Sequence, residues 1–363
     1  MTRSDAAAAP AGFQLSPAAR LLWRTADSIH LELGHRRAVV ENLPGPVVRH
    51  LVTGHEPIGH DPVGLGGPVH GPQVALPELA PDVLEALDTL VDDGFLWTRT
   101  GVDDGLRTPP TPRLAGQLAA LAVRHGESAA ELLHARRHCS VVVAGNTAAT
   151  VHLAALLAAA GVGRVRCAVD GTVRLLHAVP GGVDPGAEGT DLQVAAVDAV
   201  LRAAPDADVT PLPPDEVPDL TVLAQAGPVD DDRRAALHAD RAAHLRLAVG
   251  VDHAVVGPLV LPGLTSCLRC ADLHRRDRDP AWPVLSAQLA VPRRYGHPSD
   301  VIVSTLAVGA AALQVLAFLD GADPASIDGT LELHPPDWRA RRRSWSPHPA
   351  CDCGLGRLGR MGQ

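Results

Sequence analysis

The sequence predicts a mixed α/β fold, in which a mostly parallel sheet carries helices on both faces and a small α+β domain precedes it. Three observations lead to this prediction. An apolar strand-like run, an Ala/Leu-rich helical stretch and a second apolar run follow one another over residues 138–170. Strand-like and helix-like segments then alternate as far as residue 261, which favours a parallel sheet. Residues 28–97 instead show short hairpin, helix and strand patterns.

The composition is typical of a folded protein with many turns. Of the 363 residues, 46% are hydrophobic, 34 are Gly and 32 are Pro, and this length suggests two or three domains. The net charge of −9 argues against nucleic acid and anionic membranes as partners. The N-terminus has no long apolar core, and Ala/Leu stretches such as 151–160 are too short to span a bilayer, so we expect a cytoplasmic location.

Residues 13–105 are predicted to form a small winged-helix domain after a flexible tail at 1–12. Its predicted elements are a β-hairpin at 28–40 with a turn at Gly34–Arg36, a short helix after Pro44, a helix from Pro81 that stops at Gly94, and a strand at 95–97. The pattern leaves three interpretations open: a plain α+β domain, a DNA-binding wing or a peptide-binding domain.

Residues 138–363 are predicted to form the main α/β domain, which a helical linker at 106–137 precedes. After the first strand-helix-strand unit, the predicted elements are a strand at 172–176, a helix from Thr190 or Asp191 to about Ala204, a strand at 219–224, a charged helix at 231–244, strands at 245–249 and 254–261, a very hydrophobic helix at 299–319, a strand at 329–333 and an irregular Arg-rich tail at 339–363.

The turn after the first strand of this domain resembles a nucleotide-binding turn that has lost glycines. In Rossmann-like sheets, G-x-G-x-x-G lets a pyrophosphate approach the backbone, and an acid at the tip of the second strand holds a ribose. Gly145 and Asp170 occupy the positions of the first glycine and of that acid, whereas Thr147 and Thr150 replace the other two glycines. The sequence therefore predicts a Rossmann-like scaffold with a remnant nucleotide pocket, and retained nucleotide binding is the alternative.

Four of the six cysteines occur as two close pairs, Cys267 with Cys270 and Cys351 with Cys353. Each pair can bring two thiolates to one ion, and together they complete a tetrahedral, closed zinc site. We predict a structural zinc ion that joins the C-terminal tail to the α/β domain. Cys139 and Cys167 lie singly in apolar strand-like runs, where a nucleophile would be inaccessible.

Two other polar groups are weaker candidates. Asp272, His274, Asp277 and Asp279 follow the first cysteine pair. We interpret them as a solvated turn with local Arg–carboxylate pairs, and the alternative is an active site. Asp252 and His253 are adjacent but have no nucleophile nearby, so a polar loop between two strands is favoured over an acid–base pair.

The stretch GNTAATVHLAALLAAAGVGRVRCAVDGTV, with GPLVLPGLTSCLRC and the C-x-C tail, resembles the ubiquitin-activating-enzyme-like (ThiF/MoeB) family. More closely, the chain is similar to actinobacterial ThiF-like proteins described as leader-peptide-binding or cyclodehydratase-partner proteins of azoline-forming (TOMM) peptide biosynthesis. Its first 105 residues are similar to the winged-helix peptide-recognition element of that group. The resemblance therefore implies a ThiF-type sheet with a winged-helix domain before it.

Active ThiF-like enzymes bind Mg-ATP and adenylate a peptide C-terminus. By this resemblance, Gly145 and Asp170 match the first glycine and the ribose acid. The family's lysine cannot exist in a chain without lysine, and residues 223–227 (LAQAG) lack its metal-binding acid. Without both groups the phosphate charge is largely uncompensated, so adenylation should fail and ATP binding is doubtful.

The resemblance thus implies a non-catalytic scaffold that presents a precursor peptide to an ATP-dependent cyclodehydratase of the YcaO type in ribosomal peptide (RiPP) modification. The leader peptide would add as a strand to an open edge of the N-terminal hairpin, and relatives commonly form homodimers through the α/β domain. Three alternatives stay open, an adenylating ThiF-like enzyme, a winged-helix DNA-binding regulator and a ThiF-like protein with an unrelated interaction. The negative charge and the lack of a basic helix at 81–94 disfavour the second.

Overall fold

The computed structural model describes residues 13–25, 28–42, 47, 80–98, 112–213, 216–291 and 298–353. The chain divides into two compact units, residues 1–134 and 135–363. The predicted N-terminal tail, the helix after Pro44 apart from Val47, and the last ten residues of the C-terminal tail lie outside the described residues. The winged-helix assignment therefore stays a prediction.

The first unit holds two small antiparallel sheets, one of order β2-β3-β4 and one formed by β1 and β5. Its strands are β1 (Phe13–Leu15), β2 (Ala19–Thr25), β3 (Ser28–Leu33), β4 (Arg36–Val40) and β5 (Leu96–Thr98), and its helices are α1 (Pro81–Asp92), α2 (Ala115–His125) and α3 (Ala129–Arg136), which ends in the second unit.

The predicted hairpin is confirmed as β3 and β4. Ile29, Leu31 and Leu33 point to one face and are fully buried, as the two-residue period requires. Leu33 pairs with Arg36, so the turn contains only two residues, and Gly34 in it has a φ of +61°. Strands β1 and β2 were not predicted, because their short segments carry no clear alternation.

The second unit is built around one seven-stranded sheet of order β12-β11-β10-β9-β8-β6-β7. Its elements are β6 (Ser140–Ala144), α4 (Ala148–Ala159), β7 (Arg164–Ala168), α5 (Leu192–Ala203), β8 (Leu220–Ala224), α6 (Asp231–Ala239), β9 (His244–Val249), β10 (Ala254–Val260), α7 (Leu268–Arg278), α8 (Trp282–Leu289), α9 (Val301–Leu319), β11 (Gly329–Leu333) and β12 (Ala340–Ser344). Strands β7, β6, β8 and β9 are parallel, and β10 to β12 extend the sheet antiparallel. The predicted α/β fold class is confirmed.

Helices cover both faces of this sheet. Alternate residues of the fully buried β8 belong to different apolar clusters, with Val222 in one and Leu223 in the other. The first cluster contains the buried sides of α4, α5 and α9. The second contains residues of α6 and α7 together with three of the paired cysteines. The cysteine cluster therefore lies on the α6–α7 face.

Three predicted elements differ from the structure. Residues 172–176 are not a strand, because Val173 is held by backbone hydrogen bonds to the 189–190 loop and a 3-10 turn begins at Leu175. Helix α6 ends at Ala239, since Arg241 takes a left-handed conformation (φ +52°) before β9. The tail beyond residue 339 is not wholly irregular, because residues 340–344 pair with β11 as β12.

Helix α9 confirms the predicted hydrophobic helix and begins at Asp300, whose carboxylate accepts hydrogen bonds from the first-turn amides. It is the one described helix that is long and apolar enough to cross a membrane by length and composition. One side of it packs into the core of the second unit. Beyond its end, Asp320 accepts two hydrogen bonds from Arg136, of 2.7 and 2.6 Å, and both side chains are buried.

Candidate metal centre and nucleotide-binding turn

The four paired cysteines meet at the N-terminus of α7. Cys267 precedes the first helical residue and Cys270 lies in the first turn, while Cys351 and Cys353 come from the segment after β12. The sulfur of Cys267 is 3.7 Å from that of Cys270 and 3.6 Å from that of Cys351, and the Cys270 and Cys353 sulfurs are 3.6 Å apart. All four sulfurs lie within 4.8 Å of one another. The tertiary structure therefore brings together residues that are more than 80 positions apart in the chain.

This geometry fits a tetrahedral zinc ion. Zn–S bonds of about 2.3 Å place neighbouring sulfurs about 3.8 Å apart, close to the three distances above. Cys267, Cys270 and Cys351 are buried and Cys353 is partly buried, so the site is closed, as structural zinc sites are. Within the described part of the chain, it is the one cluster of three or more potential ligand side chains.

The sulfurs perturb one another strongly. The Cys267 thiol donates to the Cys270 sulfur, which lowers the pKa of Cys270 to about 4 and raises the pKa of Cys267. Burial raises the pKa of Cys351 to about 12. In a neutral cluster of this kind the sulfurs share protons, whereas a divalent cation stabilises all four thiolates.

His348 is hydrogen-bonded to residues of both cysteine pairs and to Asp277 of α7. The buried His348 ring accepts a hydrogen bond at Nδ1 from the Ala350 amide (3.1 Å), so its Nε2–H donates to the Asp277 carboxylate (2.7 Å). The Cys351 amide donates to the His348 carbonyl (2.9 Å), and the His348 amide bonds the Cys270 sulfur. His274 of α7 bonds the Ser346 carbonyl (2.9 Å). Sequence reasoning missed this role, because nothing in the local pattern joins α7 to the tail.

The charged cluster after the first cysteine pair is thus not a solvated turn, since Asp272, His274 and Asp277 lie on α7. The expected local Arg–carboxylate pairs are present: Arg275 bonds Asp272 at 2.9 Å, and Arg276 lies 3.4 Å from Asp277. Asp279 follows the helix and accepts a hydrogen bond from the Ala281 amide.

Arg275 also stacks within 4.9 Å of the ring centre of Trp345, a buried residue that begins the tail. The Trp345 indole N–H donates to the Thr330 hydroxyl of β11 (3.1 Å). A cation over an indole face is attractive. The tail is therefore anchored at Trp345 as well as at the cysteines.

Asp252 and His253 occupy the turn between β9 and β10, as the polar-loop interpretation predicts. Their side chains form an exposed pair at 2.9 Å, and the His253 ring stacks on His334 with a centroid distance of 6.1 Å. The His253 hydrogen bond lowers the pKa of Asp252. The pair lies in solvent beside a second histidine.

Gly145 lies where the chain leaving β6 passes close to the end of the neighbouring strand β8. Its φ is +121°, and a Cβ at this position would overlap the Ala224 carbonyl at the end of β8. Its amide donates to the Ala168 carbonyl at the end of β7 (3.1 Å). The glycine thus has a structural explanation that needs no phosphate.

The two threonines of the turn, Thr147 and Thr150, are hydrogen-bonded to each other. Thr147 caps the N-terminus of α4, its amide faces the Thr150 hydroxyl at 3.4 Å, and the two hydroxyls are 3.1 Å apart. Thr150 is fully buried and its hydroxyl also donates to the Gly145 carbonyl. The Thr147 amide at the start of α4 is therefore already paired with a side chain of the turn itself.

Asp170 lies next to this turn, beyond the end of β7. The Asn146 amide group donates to the Asp170 carboxylate, and the Asp170 backbone N–H donates back to the Asn146 side-chain oxygen (3.2 Å). The structure places Asp170 where the ribose acid was predicted, but Asn146 already bonds its carboxylate. Sequence reasoning did not identify Asn146 as its partner.

The loop after β8, where the resemblance would place a metal-binding acid, is likewise held by internal bonds. The Gln225 amide donates to the Pro228 carbonyl (2.6 Å), and the Arg246 guanidinium of β9 donates to the Gly227 carbonyl (3.1 Å). Burial lowers the pKa of Arg246 to about 10. The residues around this pocket therefore do not fit the phosphates and metal ion of Mg-ATP.

No protein family and no curated protein sequence matches the chain. Several solved structures do match it. E. coli MccB with succinimide has a TM-score of 0.65 at 14% identity, covering 94% of this chain and 99% of MccB. The microcin C7 biosynthetic enzyme MccB in complex with N-formylated MccA also has a TM-score of 0.65, at 13% identity, covering 95% and 99%. PaaA has a TM-score of 0.60 at 15% identity, covering 90% and 98%.

These similarities extend over both units of the chain, at identities that establish shared architecture. MccB and PaaA are ThiF/MoeB-like proteins with the ubiquitin-activating-enzyme fold. The mostly parallel sheet of the second unit and the small antiparallel sheet of the first match them. The chain therefore has the ThiF-like, Rossmann-type fold.

Proposed function

We propose that this chain is a non-catalytic ThiF-like scaffold in ribosomal peptide modification. It binds the leader of a precursor peptide through its winged-helix unit and presents that peptide to an ATP-dependent cyclodehydratase of the YcaO type. It acts in the cytoplasm as a homodimer, with neither nucleic acid nor a membrane as a partner. A structural zinc ion on Cys267, Cys270, Cys351 and Cys353 holds its C-terminal tail.

The closed turn after β6 is the observation that carries the non-catalytic part of the proposal. Thr147 stands where the second glycine would let the backbone approach a pyrophosphate, and its amide already bonds the Thr150 hydroxyl. The chain has no lysine to offset the phosphate charge, and residues 223–227 have no acid to hold the metal ion that would offset it. Gly145 and Asp170 then remain as parts of a remnant pocket.

Strand β4 supports the peptide-binding part. Among the described strands, β4 pairs only with β3, so its other edge is available for a further strand. Val39 in the middle of β4 is 46% exposed. Main-chain hydrogen bonds to such an edge provide affinity, and alternating side chains set the register of the added strand.

The comparisons support the peptide-binding part of this role. MccB has the same fold, and its structures include complexes with MccA and with ATP. This supports a role for the present chain in holding a substrate for a biosynthetic reaction. The DNA-binding alternative has less support, because α1 carries Asp82, Glu85, Asp88 and Asp92 and has no Lys or Arg.

Calorimetry with two titrants tests the proposal. The first titrant is Mg-ATP, for which we expect no heat, and micromolar binding would instead favour the adenylating-enzyme alternative. The second is the synthetic N-terminal half of a short Cys/Ser/Thr-rich peptide encoded beside the gene for this chain, for which we expect saturable binding. No binding of that peptide would contradict the scaffold role.

Proline substitutions localise the peptide. Ala38 and Val39 are consecutive in β4, so their N–H groups point to opposite edges of the strand. Of Ala38→Pro and Val39→Pro, the variant that removes the outward N–H should keep its thermal unfolding temperature and lose peptide binding. Val39→Thr serves as the matched control. Unchanged binding in both folded proline variants would exclude this edge.

A further inference from the structure

A buried histidine of the second unit has one ring nitrogen without a hydrogen-bond partner. His244 is the first residue of β9, and only 2% of it is exposed. Its Nδ1 atom lies 2.9 Å from the Ala242 carbonyl oxygen, so this nitrogen carries the proton, because a carbonyl can only accept. Within the described part of the chain, no group bonds Nε2. Buried polar atoms are nearly always paired, so this unpaired nitrogen needs an explanation.

The His244 ring lines a cavity between α6 and the cysteine cluster. This cavity has a volume of about 430 Å³, and its walls include Cys267, Cys353 and His238. A second cavity of about 560 Å³ shares Cys353 and His238 with the first and is also lined by the 261–264 loop. Both shared side chains are partly exposed, so solvent reaches the walls on which they lie. We call these two adjoining cavities the α6 cleft.

The polar atoms of this cleft favour a ligand that donates hydrogen bonds. Burial lowers the pKa of His244, so its ring is neutral at neutral pH and Nε2 offers a lone pair. The sulfur atoms of Cys267 and Cys353, on the wall beside it, are also acceptors. A ligand with several N–H groups can therefore bond more than one atom of the cleft.

The charges along the cleft favour a cation. Three aspartates and two arginines contribute to its walls. Arg234 is paired with Asp231 at 2.8 Å, and Arg269 is paired with Asp352 at 3.1 Å. The third aspartate, Asp232, forms no ion pair with any residue that the structure describes. One carboxylate is thus left for a ligand.

We propose that the α6 cleft binds a guanidinium group, such as the side chain of an arginine. A guanidinium is a planar cation with several N–H donors at fixed angles, so one ligand can satisfy several acceptors together. It is also more weakly hydrated than an ammonium ion, and its burial therefore costs less. This inference goes beyond the proposed function, because the leader-peptide site was assigned to the first unit and the zinc ion to the four sulfurs.

Nitrogen NMR of the purified full chain with isotopically labelled histidine tests the proposal. The His244 Nε2 resonance is identified by its absence from the spectrum of His244→Asn. Methylguanidinium chloride should move this resonance to lower frequency, because the lone pair then accepts a hydrogen bond, with a dissociation constant on the order of 1 mM. Methylammonium chloride at the same concentration controls for ionic strength and should leave the resonance in place.

His244→Asn measures the contribution of Nε2 to binding. The asparagine amide can still donate to the Ala242 carbonyl from the position of Nδ1, so the variant should keep the unfolding temperature of the wild type. Its affinity for N-acetyl-arginine methylamide, followed by ligand-observed NMR, should fall roughly tenfold or more, the loss expected for one hydrogen bond to a charged group. His253→Asn is the matched control, because this histidine lies exposed in the turn after β9, and it should bind as the wild type does.

Two kinds of arginine could supply the group, one on a second polypeptide and one on this chain, since Arg357 and Arg360 follow Cys353 in the sequence. Arg357→Gln/Arg360→Gln separates them. If the Nε2 resonance moves to higher frequency in this variant before ligand is added, and methylguanidinium then reverses the change, the chain's own arginines occupy the cleft. If the variant behaves as the wild type and binds methylguanidinium, the source lies outside this chain.

Three results would overturn the proposal. The first is an Nε2 resonance that methylguanidinium leaves unchanged in both the wild type and the double-glutamine variant, which would assign the lone pair to a buried water molecule. The second is an equal shift with methylammonium, which would exclude selectivity for a guanidinium. The third is a folded His244→Asn variant that binds N-acetyl-arginine methylamide as tightly as the wild type does.

Discussion

Removal of the second cysteine pair is expected to have the largest effect on stability. In Cys351→Ser/Cys353→Ser, half of the four-sulfur cluster is lost, and the ion has no other anchor on the tail. The sulfur distances of 3.6 to 3.7 Å are within about 0.2 Å of those in a zinc tetrathiolate. Metal binding therefore needs little rearrangement, and most of its free energy should stabilise the fold.

The expected size follows from that argument. A structural zinc site contributes on the order of 10 kcal/mol to folding, which is comparable to the whole stability of a domain at about 5–15 kcal/mol. For a unit of roughly 230 residues, 1 kcal/mol shifts the melting temperature by about 2–4 °C. We expect the melting temperature to decrease by about 20 °C, the lower end of the range that these values give. The decrease stays at that end because the Trp345 and His348 contacts of the tail do not depend on the metal.

The assay is calorimetric unfolding combined with metal analysis. The purified wild type should contain one zinc ion per chain, and a chelator should lower its melting temperature as the double serine variant does. Cys139→Ser is the matched control, since its hydroxyl can bond the Ala135 carbonyl as the thiol does, and it should change neither quantity. Absence of zinc, or a shift below about 3 °C in the double variant, would refute the argument.

Three further predictions concern the scaffold. Arg136→Met should cost about 3–5 kcal/mol in urea unfolding because it leaves the buried Asp320 carboxylate unpaired, and Arg136→Met/Asp320→Leu should recover most of that; a single-variant loss below 1 kcal/mol would contradict this. Gly145→Ala should destabilise by several kcal/mol, and more than Gly171→Ala, which has a positive φ but open space around it; equal losses would show that the backbone around the Ala224 carbonyl tolerates a side chain. Hydrogen bonds from Thr210 lower the pKa of Asp208 to about 2, so its stabilisation is present above about pH 4 and disappears as the pH falls through 2. Because Asp208 is 38% exposed, Asp208→Asn should cost less than about 1 kcal/mol at pH 7 and nothing below pH 2; a pH-independent loss would exclude the carboxylate.

Local patterns in the sequence were sufficient to predict the elements that carry a periodic set of buried apolar side chains. The hairpin of β3 and β4, the β6–α4–β7 unit, α5 with its Asp191 cap, and α9 all follow from apolar periodicity and capping residues. The grouping of the four cysteines was also predictable, because paired cysteines are a chemical signal that does not depend on the fold. ThiF-like architecture could be inferred because these segments keep their order along the chain.

Strand β12 was beyond such reasoning. Its residues are all exposed and three of its five are Arg, so no apolar pattern marks it. It forms because β11 offers a backbone edge and because Trp345, immediately after it, is buried against Thr330. The predicted strand at 172–176 failed because Thr172 and Val173 pair with the 189–191 segment and a 3-10 turn begins at Leu175.

The sequence by itself determined which residues can form the sheet, the helices and the metal site, because side-chain polarity and chain order are local properties. Only the tertiary structure decided which contacts those residues make. It required glycine at position 145, since the Ala224 carbonyl lies where a side chain would be, and it closed the turn with Thr150. It also joined His348 to Asp277, 71 residues away. These contacts depend on distances between elements, which no local pattern encodes.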